Sequence, residues 1–294
     1  MSRSVAESIK NIYGPDVTVV GQTHVYGGDT NESCLYSLSN GERVFIKKNS
    51  GKPADFFTAE AEGLKAMEST GTIRTVHVLD TGREGDSLFL ILEYVENGFK
   101  TSGFFEKFGR QLADMHRADP SAYVSDGRFG FLADNYIGAT RQINSPRDTW
   151  IEFFRTRRLE VQFRMAWDCF DESDRSRIGK LLDRLDDLLT EPEHPSLIHG
   201  DLWGGNFMVG ENGEPVLIDP AVYVGHAEAD IAMTELFGGF SSDFYEAYKA
   251  EYPFAPGYSD RRDIYNLYHL LNHLNLFGGA YLGGVLRTVR GYTG

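Results

Sequence analysis

The stretch Leu197-Ile198-His199-Gly200-Asp201-Leu202-Trp203-Gly204-Gly205-Asn206-Phe207, followed by Val216-Leu217-Ile218-Asp219, decides how this chain folds. Two apolar segments bracket three polar residues, Asp201, Asn206 and Asp219. Between the segments lies Asn212-Gly213. This dipeptide is the strongest short hairpin signal, because both residues tolerate the positive φ of a two-residue turn. A turn centred there sets Glu211 opposite Glu214 and Asn206 opposite Asp219. Directly opposed side chains share a face at about 5 Å. The pattern predicts an amide and a carboxylate together at the open end of a hairpin. A slip of one residue would send them to opposite faces.

An amide oxygen and a carboxylate suit Mg2+, a hard ion that takes oxygen ligands and leaves room for waters and phosphates. Asp201 precedes Asn206 with four residues between them. That is the spacing of the kinase catalytic loop, in which Asp receives a hydroxyl proton and Asn holds metal. Asp201 is therefore the expected catalytic residue, and Asn206 and Asp219 the expected metal ligands. Here Gly200 stands before the aspartate, and Pro220 follows the later one. A solvated polar hairpin with no chemistry is the plainer reading, but spacing, turn and flanking strands agree on the sharper one.

His199-Gly200-Asp201 through Asn206, then Ile218-Asp219-Pro220, resembles the aminoglycoside and choline phosphotransferase group of kinase-like enzymes. The longer string His199 to Asn206, with Tyr223 to His226 and Glu228 to Met233, is similar to the fructosamine kinase (ketosamine 3-kinase) family. The resemblance covers nearly the whole chain, and the loop bearing Trp203 is its most specific part. It implies an α+β, two-lobed, protein-kinase-like fold: an N-lobe of five antiparallel strands and one main helix over residues 1–95, and a mostly helical C-lobe over 96–294. It also implies ATP and Mg2+ as cofactors, and transfer of phosphate to the 3-hydroxyl of a fructosamine, ribulosamine or erythrulosamine, free or on protein. The sense of that reaction is deglycation, because the phosphorylated adduct becomes labile.

Composition sets the outer limits. With 294 residues, 41% of them hydrophobic, the chain can bury a substantial core. Net charge is −14, so no global positive field exists for nucleic acid or an anionic membrane. A polyanion must be held by a local cation and by metal. The two cysteines, Cys34 and Cys169, give neither a zinc spacing nor a disulfide framework. That cysteine usage, with no apolar signal core at the N-terminus, leads to the expectation of a reducing cytoplasm, and the chain is expected to be a monomer.

Residues 5–13 read as a short helix, followed by a three-strand meander to Lys48. In it Tyr26-Gly27-Gly28-Asp29 is a turn, and Gly27 and Gly28 are candidates to lie over phosphates through their N–H groups. An ordinary hairpin turn fits those glycines equally well. Some members of the resembled family carry a redox-active cysteine in this loop, where this chain has Asp29. Lys47 and Lys48 fall on opposite faces of their strand, and pattern does not choose between them. Lys47 is assigned to the phosphates by resemblance.

Its partner follows from helix geometry. Phe57, Glu60, Leu64 and Met67 share one stripe of a helix over 55–67, with Asp55 as N-cap. A carboxylate inside an apolar stripe needs a cation. Glu60 is therefore the expected ion-pair partner of Lys47. Strands over 75–80 and 87–95 complete the lobe. The resemblance implies that Glu93 and Val95, at the expected hinge, bond adenine through main chain, and a plain domain linker fits the same stretch.

The remainder reads as mostly helical. The loop from Phe129 to Gln142 resembles the family's substrate side, with Arg141 in place of its proline. A long helix over 150–170 points Trp150, Phe154, Val161 and Met165 inward. A helix over 173–189 is capped by Ser173. Trp203, two residues past the catalytic aspartate, is a candidate platform for a sugar, and a buried core Trp is the bland alternative. Arg158, His226 and Glu228 are further substrate-side candidates by resemblance, and Asp230 is expected to steady the catalytic loop. An aminoglycoside- or choline-type kinase is the alternative within the class. Non-catalytic nucleotide binders usually lose the lysine, the base or a metal ligand, whereas Lys47, Asp201, Asn206 and Asp219 are all present.

Overall fold

In the computed structural model, which describes residues 3–25, 31–124 and 127–294, a five-stranded antiparallel sheet comes first. Helix α1 (Val5–Tyr13) precedes β1 (Val19–Val25), β2 (Glu32–Leu38) and β3 (Arg43–Ser50). Helix α2 (Phe56–Glu68) leads into short β4 (Arg74–Thr75), then β5 (Val78–Glu84) and β6 (Ser87–Glu93). The sheet runs β1-β2-β3-β6-β5. A reciprocal box starts α1: Ser4 Oγ accepts from the Glu7 N–H, and the Glu7 carboxylate accepts from the Ser4 N–H.

Strand alternation gives the sheet two apolar faces. Cys34, Tyr36, Val44, Ile46, Phe89 and Ile91 pack with Val5 and Ile9 of α1. Leu88, Leu90 and Leu92 pack with Phe57, Leu64 and Met67 of α2. The same alternation separates the two lysines. Lys48 lies over the Tyr36 ring and near Glu84, while Lys47 is buried on the other face.

Residues 75–80, expected as one strand, divide between two sheets. Arg74 and Thr75 pair in parallel with Val216 and Leu217 of the catalytic hairpin, and only from Val78 does the chain join the five-stranded sheet. Asp55 sits at the N-terminus of α2 but does not cap it with its side chain. Its carboxylate accepts from the Tyr136 hydroxyl at 2.7 Å.

The rest is largely helical: α3 (Phe104–Arg117), the small hairpin β7 (Asn135–Ile137) and β8 (Thr140–Gln142), α4 (Trp150–Phe153), α5 (Glu160–Met165), α6 (Glu172–Asp183) and α7 (Leu185–Leu188). Then come β9 (Ser196–Ile198), β10 (Phe207–Val209), β11 (Pro215–Leu217), β12 (Tyr223–Gly225), α8 (Ala227–Phe237), α9 (Ser242–Glu251), α10 (Tyr258–Phe277) and α11 (Leu282–Thr293). Between α4 and α5, residues Phe154–Leu159 form a π-helical segment. Such a segment inserts one residue and rotates the phase of the helix beyond it. Phe153, Leu159 and Phe163 are therefore buried, whereas Met165, expected inward, is 53% exposed. Helix α6 is capped by Asp171, whose side chain accepts from Asp174 N–H, rather than by Ser173. Among the described residues, no helix is long and apolar enough to cross a membrane.

Candidate active site

The catalytic hairpin is one residue out of the expected register. Phe207 pairs with Leu217, Met208 with Val216 and Val209 with Pro215. Gly210 N–H donates to the Glu214 carbonyl at 2.8 Å, so Gly210 rather than Glu211 faces Glu214. The loop has three residues, and only Gly213 takes the left-handed conformation, at φ 75°. Asn206 consequently pairs with Ile218, whose N–H donates to its carbonyl at 3.1 Å. Asp219 still arrives beside Asn206, by another route. Its φ is 54°, the one positive value at a non-glycine among the described residues. This left-handed step ends the strand and leaves the Asp219 carbonyl 3.5 Å from Asn206 Nδ2. Such a step costs of order 1 kcal/mol or more and persists only where surrounding contacts impose it.

The loop before β10 is held from beneath. Buried Asp230, on α8, accepts from His199 N–H at 2.7 Å and from Gly200 N–H at 2.8 Å. His116 Nε2 lies 3.1 Å from the same carboxylate, and its Nδ1 lies 2.7 Å from the Tyr248 hydroxyl. Burial raises the cost of charge on Asp230, but His116 and the loop amides outweigh it and hold the carboxyl below its usual range. Gly200 has φ 81°, and a Cβ there would lie 2.1 Å from the Ala221 carbonyl, so no other residue fits. His199 Nδ1 accepts from Asp201 N–H at 3.2 Å, which leaves Nε2–H to donate to the Ile218 carbonyl at 2.9 Å. Burial keeps this imidazole neutral. His199 thus ties the start of the loop to the end of β11.

Asp201 accepts from Asn206 Nδ2 at 3.1 Å, and its carbonyl accepts from the same amide at 2.8 Å. Its pKa is pushed up to about 7 by burial, with Asp219 and Asp230 adding to the rise against the Asn206 hydrogen bond. Lys47 Nζ donates to Glu60 Oε1 at 2.6 Å and also to Asp219 Oδ1. Burial disfavours the ammonium, yet the two carboxylates outweigh that and keep Lys47 protonated. With Asn206 Nδ2 turned to Asp201, Oδ1 is the amide atom left for a cation. Together with the Asp219 carboxylate it makes an oxygen donor set of the kind Mg2+ takes.

These groups share one cleft of roughly 910 Å3. Lys47, Glu60, Asp201, Asn206 and Asp219 line it, as does Trp203. Trp203 is 38% exposed, with Phe237 edge-on at 6.2 Å. The far wall comes from α10 and was not anticipated: Asn272, His273, Leu276 and Phe277. His269, one turn earlier, is buried, with Nδ1 unbonded and 3.9 Å from Asp201 Oδ1. The signal was present, since residues 269, 272, 273 and 276 share one face at helical spacing. His269, Asn272 and His273 put polar groups on that face.

Three substrate-side candidates lie elsewhere. Arg158 is fully buried, donates to the Ile143 carbonyl and Asn144 Oδ1 at 2.7 Å each, and stacks 3.9 Å from the Tyr223 ring. Asn144 Nδ2 donates to Asn135 Oδ1, and Asn135 Nδ2 donates to the Val222 carbonyl, so Arg158 braces the segment after Asp219. Glu228 is buried and taken bidentately by Arg261, at 2.6 and 2.9 Å. His226 caps α8, accepting from Glu228 N–H, and burial with Arg261 nearby lowers its pKa to about 3. Each is engaged in structure, as buried polar groups generally are, although His226 Nε2 has no hydrogen-bond partner among the described residues. Glu93 closes β6 with its carboxylate on His77 N–H and Arg74, and Val95 is buried in the linker beyond it. Gly27 and Gly28 lie outside the described residues.

A sequence model of the fructosamine kinase family matches residues 1–292. A Synechocystis protein named as a probable ketoamine kinase is 40% identical over 287 residues, covering 95% of this chain and 92% of its own. A rice protein named protein-ribulosamine 3-kinase, chloroplastic, is 38% identical over 95% of this chain and 80% of its own length. A crystal structure of a Haemophilus somnus protein described as a fructosamine-3-kinase superposes with a TM-score of 0.88 at 26% identity, over 98% of this chain and 96% of that one. The two-lobed α+β architecture is that of the protein-kinase-like phosphotransferases. By the extent of the match and the geometry of its cleft, the chain belongs to the fructosamine kinase family.

Proposed function

We propose that the protein is an ATP-dependent kinase that phosphorylates the 3-hydroxyl of a ketosamine, free or protein-bound, in the service of deglycation. The observation that carries this reading is the single cleft in which the Lys47–Glu60 pair, Asp201, Asn206 and Asp219 face an aromatic and amide wall. Residues 1–95 supply the nucleotide side and 96–294 the acceptor side. The main chain of Glu93 and Val95 receives adenine, and Gly27 and Gly28 the phosphates. Mg2+ held by Asn206 Oδ1 and the Asp219 carboxylate would supply charge neutralisation on the phosphate oxygens. Lys47 adds a fixed positive charge and orients those oxygens. Asp201 accepts the acceptor hydroxyl's proton and keeps its oxygen in line. Phosphoryl transfer has a loose transition state, so such positioning and neutralisation supply most of the rate.

Trp203 offers an indole face beside Asp201 for the sugar, and Asn272 and His273 offer polar groups across from it. The acidic molecule suits an acceptor carrying an amine. ATP turnover measured side by side on ribulose-lysine, fructose-lysine, choline and kanamycin is the test. Turnover of one or both ketosamines is expected. Turnover confined to choline or kanamycin would replace this reading with the aminoglycoside- or choline-type one.

A further inference from the structure

We propose a zinc site on the outer face of the β1–β2 hairpin, formed by His24, Glu32 and Cys34. His24 and Cys34 are directly opposed across the two strands, and Glu32 lies two residues before Cys34, so all three share one face. One atom from each closes a triangle. Cys34 Sγ is 3.5 Å from His24 Nδ1 and 3.8 Å from Glu32 Oε1, and those last two atoms are 3.6 Å apart. A tetrahedral zinc at about 2.3 Å from sulfur and about 2.1 Å from nitrogen and oxygen sets its ligand atoms roughly 3.4–3.6 Å apart. The observed triangle therefore needs almost no rearrangement. Three ligands leave the fourth position to water.

The surroundings fit the ion. Cys34 is buried, while the His24 and Glu32 side chains are each 56% exposed, so one side of the triangle opens to solvent and gives the ion its path in. Gln22 Nε2 lies 3.3 Å from Cys34 Sγ and donates to it, the kind of outer contact that supports a thiolate ligand. Lys48, opposite Glu32, is engaged with Tyr36 and Glu84. A mixed sulfur, nitrogen and carboxylate set selects Zn2+ over Mg2+, which prefers oxygen alone. The site is separate from the cleft. Ser33 and Lys47, also register partners, face the cleft from the other side of the same strands. A bound ion would staple β1 to β2 at the root of the connection through residues 26–30.

The test is Zn2+ titration of the full chain against a chromophoric chelator in excess Mg2+, repeated with Co2+ to look for a thiolate-to-metal charge-transfer band. Wild type is expected to take up one equivalent, show the band and melt at higher temperature with Zn2+. His24→Ala, at an exposed position that folding does not depend on, is expected to bind at least about tenfold more weakly. Cys34→Ser is expected to lose the band although exposed Cys169 remains. Absence of uptake by wild type, or uptake and a band unchanged in both variants, would overturn the proposal.

Discussion

Asp201 is largely buried near other carboxylates at the edge of the cleft, and its charged form is costly in the folded protein. Its folded pKa is raised, so the stability given by the protonated carboxyl is full below about pH 4 and lost as pH rises through about 7. Asp201→Asn should therefore stabilise the metal-free protein at pH 8, by at most about 4 kcal/mol in chemical denaturation, with no gain at pH 4. The same variant should lower turnover at least about a hundredfold while sparing ATP affinity, as expected for loss of a proton acceptor. Lys47→Met leaves Glu60 buried without its cation. A cost of about 3 kcal/mol in chemical denaturation is expected, largely recovered in Lys47→Met/Glu60→Leu. At this scale the sequence was legible. Glu60 announced itself as a carboxylate in an apolar stripe, and the structure sets it 2.6 Å from Lys47. The choice between Lys47 and Lys48 was not legible, because it depends on which sheet face α1 covers.

The elements show where local patterns run out. Asn-Gly fits either a two-residue turn or a three-residue loop ending in left-handed glycine, and the second is the one that formed. The register shifted by one, yet Asn206 and Asp219 still met, through a backbone step at Asp219 that no pattern signals. The π-helical segment likewise broke the expected stripe and buried Arg158 among backbone carbonyls and rings. Arginine there serves three acceptors and a stack at once, which lysine cannot. Arg158→Lys should cost roughly 2–4 kcal/mol in urea unfolding and leave the KM for the acceptor within about twofold in the folded enzyme. A large rise in KM with unchanged stability would return Arg158 to the substrate.

For the whole molecule, a net charge of −14 makes binding of a nucleotide triphosphate depend on a few local cations. A non-hydrolysable ATP analogue at a hundred times its Kd should add about 2.7 kcal/mol of stability in the presence of Mg2+. Chelating the metal should remove most of that gain, as a thermal melt with and without chelator would show. Among the contacts that join the two lobes, two rest on the catalytic hairpin, beside those that α2 makes with Tyr123 and Tyr136. Arg74 and Thr75 pair with β11. Gly98, in the linker after β6, donates to the Val209 carbonyl and lies against Gly210 so closely that a Cβ would come within 2.1 Å of its oxygen. A widening of the cleft that spares these two joins must break the contacts of α2 with Tyr123 and Tyr136, and it pivots about the strands that lead to Asn206 and Asp219. The axis of motion and the metal ligands then stay together, and the jaw that swings is the one holding Lys47.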